Sequence, residues 1–328
     1  MVLFACRGGS VTIEVFVSCT KRKQCVPTPD LHFHSIEPST VAGAAQQWHD
    51  RALESKDRRP MDRLYCGGGW STARALYSTA QSLGASKLHV LSAGFGLISE
   101  HHLIPSYSAT FAPEEDQIAK RIAEPGTAAE KHKSWWQNIN SLRGLGETPI
   151  TTTTNPASHC IVTAGIQYIL ACSTDLSCLA REQRLGSLII VCTGASPSII
   201  DSALRACLLP IDVRIEQLLG GPRSTLNQRA TIWLLSNVVP HTGFDTGHMT
   251  SYINKTLGAA PNTRHPAREQ VCDAQITSWL RAELARDPSL SASKLLSLFR
   301  RRNTACEQSR FARLVSTARH DTTEEHPI

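Results

Sequence analysis

The chain has 328 residues, with 34 Lys+Arg against 28 Asp+Glu and hence a formal charge of +6. At 41% hydrophobic and 19% charged it can bury a core for one large domain, or for a core with an appendage, which excludes wholesale disorder and fibrous architectures. The small positive excess permits a nucleic-acid partner without requiring one.

Short β-branched runs alternate with helix-length segments. Residues 11–17 read as a strand, followed by a basic loop and a helix over 40–56. Gly67-Gly68-Gly69 forms a tight turn before a helix near 70–83, and 87–91 is the next strand. A loop rich in Ser, His and Pro leads to helices near 113–122 and 127–142 and a Thr-rich connector over 151–154. Further strands are expected at 160–163, 188–193 and 212–216. This alternation predicts an α/β fold, a central mostly parallel sheet with helices on both faces, spanning 1–240. Ligands of such sheets sit beyond the carboxyl ends of the strands.

The composition changes after about Val239. Residues 241–266 read as a linker, and 267–328 as a small C-terminal helical module. There Ile276, Leu280 and Leu284 recur every four residues, Pro288 breaks the helix, and Ser289 or Ser291 caps the next. With Arg300-Arg301-Arg302 and, on the last helix, Arg310 and Arg313, the module suggests a helix-turn-helix-like grip on nucleic acid. A plain helical appendage with solvated arginines has the same spacing.

Eleven cysteines without a CxxC pair fit neither a disulfide framework nor a zinc ribbon, and read as reduced thiols of a cytoplasmic protein. The start, including Leu3-Phe4-Ala5-Cys6, reads as no export signal. No apolar run is long enough to cross a bilayer, so no membrane partner is expected.

Four loops after strands are candidates for chemistry. In Ser18-Cys19-Thr20-Lys21-Arg22-Lys23, the hydroxyls and the cations Lys21, Arg22 and Lys23 suit phosphate contact; a solvated turn is the plain alternative. Around the triple glycine, Tyr65 and Trp70 are placed either to stack on a base or in the core, and Asp62 lies just upstream. The third segment runs from Ser92 through Gly96, Glu100, His101 and His102 to Tyr107, a polar crowding suited to acid/base work or base recognition. His101 and His102 are adjacent and point apart, so no metal is expected there. The fourth, Thr193-Gly194-Ala195-Ser196-Pro197, is unspecific, and no GxSxG, HExxH or kinase signature is present.

The ordered motifs SCTKRK, LYCGGGW and LSAGFGLI…IPSY, over roughly residues 11–112, resemble a prokaryotic group whose core is similar to uracil-DNA glycosylases, the peroxide-stress protein YaaA and the lyase domain of archaeosine synthase. The tail pattern WLRAEL…PSLSASKLL…CEQSRFARL is similar to a module of phage-related and defence-related proteins. The resemblance implies N-glycosidic chemistry on nucleic acid: a DNA glycosylase of antiviral defence acting on modified, glucosylated hydroxymethyl cytosine in phage DNA. It implies no metal, cofactor or obligate protein partner. Ser18, Lys21 and Arg22 would belong to the first loop of the site, and Tyr65, Ser92, Gly96 and Tyr107 match further motif positions. The water-activating GxDPY segment of uracil glycosylases is missing from the first loop.

Base excision passes through an oxocarbenium-like transition state and needs a carboxylate, a water and a donor to the leaving base. Asp30, Asp62 and Glu100 are the carboxylates nearest the motif loops, with His101 or His102 as donor. A deazaguanine-type nucleobase-modifying enzyme and a non-catalytic DNA-binding protein are the rival readings.

Overall fold

The computed structural model describes residues 11–37, 40–182, 187–258, 269–302 and 304–324. Expectations for residues 1–10, for 259–268 and for Asn303 lie outside them. The chain divides into two compact units, Met1–Pro261 and Asn262–Ile328.

The first unit is built on β1 (Thr12–Ser18), α1 (Val41–Glu54), α2 (Gly67–Gln81), β2 (Ala85–Ser92), β3 (Gly96–Ser99) and α3 (Ala128–Leu142). It continues through β4 (His159–Thr163), α4 (Ile166–Ala171), α5 (Ser173–Glu182), β5 (Leu188–Val191), α6 (Leu226–Trp233) and α7 (Thr246–Gly258). The sheet order is β3-β2-β1-β4-β5, with β3 alone antiparallel. The expected α/β class with a mostly parallel sheet is what the chain forms.

Strand residues alternate between two cores. Ile13, Val15 and Val17 join one with Trp48 of α1, Leu76 of α2 and Ala230 of α6, while Phe16 joins the other with Ile169 of α4 and Leu176 of α5. A sheet buried on both faces explains the continuous apolar runs of its strands. Helix starts follow local chemistry: the Thr40 hydroxyl accepts from Gly43 N ahead of α1, and Thr127 and Glu130 form a capping box ahead of α3.

Several expectations are corrected. Residues 96–99 form a strand because Gly96, at φ +63°, turns the chain back on β2. The helix near 113–122 shrinks to Ile118–Arg121, because Thr110 N bonds to Asp116 O in a tight loop. The connector over 151–154 is instead the end of a short helix, Pro149–Thr153, whose Ile150 and Thr151 amides donate to the buried Asp175 carboxylate at 2.9 Å each. Residues 212–216 are no strand: Asp212 accepts from the amide and the guanidinium of Arg214, which curls the backbone into a turn. The expected linker is, over Thr246–Gly258, helix α7, whose Met249, Ile253 and Leu257 are buried in the first core.

In the second unit, α8 (Asp273–Arg286), α9 (Ala292–Arg301) and α10 (Gln308–Glu324) enclose Ile276, Leu280, Leu295, Phe299 and Phe311. Ser291, one of the two expected caps, accepts from Lys294 N at the start of α9. Among the described residues no helix is long and apolar enough to cross a membrane.

Candidate functional site

From β1 the chain crosses to β2 on one side, whereas β4 and β5 lie on the other, so the sheet switches direction between β1 and β4. A crevice opens at the carboxyl ends of such strands. The loop after β1 and helix α4 after β4 meet there: Cys19 Sγ and the Tyr168 hydroxyl are 3.2 Å apart.

Backbone bonds shape the basic loop. Cys19 N donates to Leu91 O, Gln24 N to Leu64 O and Cys66 N to Arg22 O, zipping residues 19–24 between β2 and the turn before α2. Lys23 is thereby held over the ring of Tyr107, its Nζ 3.9 Å from the centroid, and 5.8 Å from that of Tyr65. Burial pulls the Lys23 ammonium below its usual pKa, against the opposing pull of Cys19, Cys66 and Asp116.

Beneath it lies a chain of hydroxyls. Tyr65 and Tyr107 are 3.0 Å apart at their oxygens, Tyr107 is 2.6 Å from Ser92 Oγ, and Ser92 accepts from Phe95 N. Burial raises both phenols above the ordinary range, keeping them neutral donors. The turn they meet is fixed by Trp135 and Trp48, whose indoles donate to Ala93 O and Gly94 O. Arg143 donates to Phe95 O and Leu97 O, and burial pushes its guanidinium down to about 10.

On the rim, Asp116 accepts from His34 N at 2.8 Å, with His34 Nδ1 also at 2.8 Å and His32 Nδ1 at 3.4 Å. Burial alone would raise the Asp116 carboxyl. The bonds from Ser108 and His34, with the charge of His34, outweigh it and hold it below its usual value. Lys21 reaches Glu114 at 2.6 Å in an exposed pair.

Of the expected binding residues, Ser18, Lys21, Arg22, Lys23, Tyr65, Ser92 and Tyr107 lie together around the carboxyl ends of β1 and β2 and the turn before α2. Arg22 packs its stem against Gly67. Tyr65, Trp70 and Tyr107 are buried, with Tyr65 and Trp70 rings 5.4 Å apart, so none offers a face for base stacking. Tyr168, mostly buried with its ring edge-on to Phe111, is an aromatic bordering the crevice. Gly96 is a hairpin residue whose added Cβ would strike Asn140, not an approach point for a nucleic acid.

The expected catalytic group is not assembled. β3 runs back from the crevice, and Ser99 pairs with His89, three residues before Ser92, so Glu100 and His101 lie about 10 Å or more down the sheet. His102 Nδ1 accepts from Ser99 N, and burial pushes its pKa down to about 4, so it is a structural acceptor. Asp62 pairs with Arg74 on the surface, and Asp30 is exposed in a short turn. The carboxylate whose charge reaches Lys23 is Asp116. Asp116, His32, His34 and Tyr168 were not singled out from sequence; the alternating His32-Phe33-His34 was the one visible signal.

In the second unit, Arg301 is exposed at the end of α9, and Arg313 is 71% exposed and 3.8 Å from Asp273. Arg310 is tied down, 2.5 Å from Asp273 and donating to Val271 O. These bonds join α10 to the start of α8.

No protein-family model matches this chain, and neither does any curated protein or solved structure.

Proposed function

We propose that the protein is a DNA glycosylase of uracil-glycosylase-like fold that hydrolyses the N-glycosidic bond of a modified cytosine, first the glucosylated hydroxymethyl form, in antiviral defence. One observation carries the reading: the Lys23 ammonium, seated on Tyr107 beside the Cys19–Tyr168 bridge, stands in the switch-point crevice. A base leaving its sugar takes up negative charge, and a fixed cation in a partly dehydrated site stabilises that charge. In this reading Lys21 and Arg22 hold phosphate, Tyr168 walls the flipped nucleotide, and Asp116 supplies the carboxylate for the oxocarbenium-like transition state.

The test offers the purified protein matched DNAs carrying plain, hydroxymethylated or glucosylated cytosine, with and without EDTA, and scores free base and alkali-labile sites. Release confined to a modified DNA supports the reading. DNA that is bound but left intact favours a non-catalytic binding protein, and a requirement for a second small substrate favours the deazaguanine-type enzyme.

A further inference from the structure

We propose that His32, His34 and Asp116 form a two-histidine, one-carboxylate site for a first-row divalent cation at the rim of the crevice. Among the described residues these three bring one ligand atom each to within 4.8 Å of one another. The measured edges are 2.8 Å from His34 Nδ1 and 3.4 Å from His32 Nδ1 to the two Asp116 oxygens. Two donors about 2.0–2.1 Å from a metal stand roughly 3.0–3.4 Å apart at octahedral or tetrahedral angles, close to both carboxylate–imidazole edges; the imidazole–imidazole edge, within 4.8 Å, closes on binding.

The frame is built before any ion arrives. His32 and His34 are tied to the segment leading to Asp116 by Phe33 N to Ser108 O and Ser108 N to Leu31 O, both 2.8 Å, and Asp116 O accepts from Thr110 N. The His34 amide also donates to Asp116 Oδ1, which orients the carboxylate as outer contacts do in metal sites. The side chains are 30%, 39% and 14% exposed, which leaves access for water to complete the coordination. Imidazole with carboxylate and no thiolate suits Zn2+, Fe2+, Mn2+ or Co2+ rather than Cu+ or a cluster.

The site stands or falls as a binding site, apart from the glycosylase reading. Were both true, Asp116 would act through the ion rather than as a free carboxylate, and a bound water with its pKa lowered would supply the nucleophile.

Co2+ is titrated into the metal-stripped full chain while ligand-field absorption is followed, and Zn2+ is then added in competition. One equivalent is expected, with nitrogen–oxygen ligand-field bands, no thiolate charge-transfer band, and displacement by Zn2+. His34→Gln and Asp116→Asn each weaken binding at least tenfold, while His101→Ala leaves it unchanged. Circular dichroism and the thermal midpoint identify any variant that has lost its fold; half-exposed His34→Gln is the one expected to keep it. A wild-type chain without the bands, bands of thiolate character, or a folded His34→Gln that binds as tightly as wild type would overturn the proposal.

Discussion

Cys19 Sγ and the Tyr168 hydroxyl, 149 residues apart in sequence and 3.2 Å apart in space, tie the loop after β1 to the helix after β4. The bond spans the point where the sheet changes direction, so it holds the two walls of the crevice together. Tyr168→Phe removes one hydrogen bond with a thiol, which costs about 0.5–1.5 kcal/mol. Urea unfolding is expected to show that small loss without a change in slope. If the basic loop holds DNA as proposed, affinity for a DNA ligand should fall by more than this stability change accounts for, because the loop loses an anchor.

Lys23→Met separates stability from activity. The amine is held in surroundings that disfavour its charge, and methionine keeps much of the stem against Tyr107. The thermal midpoint is therefore expected to hold or rise. If the chain releases a base as proposed, that release should drop by about 10²–10³, the usual loss when a preorganised charge partner is removed. A variant with full activity would remove Lys23 from the chemistry.

The sheet was legible because its strands are apolar runs buried on both faces, and the basic loop because three cations follow β1. Tyr107 and Ser92 were legible as motif positions, but not as a hydrogen-bonded pair. What escaped were features set by long-range pairing. The β2–β3 hairpin carries Glu100 and His101 away from the crevice, and nothing local to those residues announces the reversal. Asp116 sits in a segment that reads as a helix; the pairing of residues 31–33 with Ser108 and of Thr110 with Asp116 brings it to His34. The helix at Pro149–Thr153 likewise depends on Asp175, more than 20 residues downstream.

Glu14 and His89 form a buried pair across β1 and β2, 3.0 Å apart, with Asn155 N donating to the second carboxylate oxygen. Burial would raise the Glu14 carboxyl, but the bonds from His89 and Asn155 and the nearby positive charge hold it below its ordinary value. The unfolded chain therefore takes up the proton first on acidification. The stabilisation is full above pH 4.5 and is lost as pH falls through the lower folded value. Glu14→Gln leaves His89 without its charged partner and should cost on the order of 3 kcal/mol at neutral pH, measured by denaturant unfolding.

His132 makes a second contribution to acid sensitivity. It is fully buried against Phe111, neither ring nitrogen has a hydrogen-bond partner among the described residues, and burial pushes its pKa down to about 4 from 6.5. Between pH 6.5 and 4 the unfolded state is protonated while the folded state is not, so stability declines as pH falls across that window and levels off below it. His132→Phe removes both the unmet polar atoms and this slope. It should raise stability by about 1–2 kcal/mol at neutral pH and flatten the acid limb of a stability–pH curve.

The arginines of the second unit divide by what already holds them. Arg310 is engaged by Asp273 and Val271 O, so Arg310→Ala should lower the stability of this unit by about 1 kcal/mol or less, with the slope of DNA affinity against salt nearly unchanged. Arg301 is exposed, and Arg313 reaches Asp273 only at 3.8 Å with 71% of its side chain in solvent. If these two grip phosphate, each Ala replacement should reduce the slope of log K against log salt by about 0.9 and leave unfolding unaltered. Titrations at several salt concentrations separate the outcomes. Equal slopes in wild type, Arg301→Ala and Arg313→Ala would mean that the exposed arginines are only solvated and make no phosphate contact.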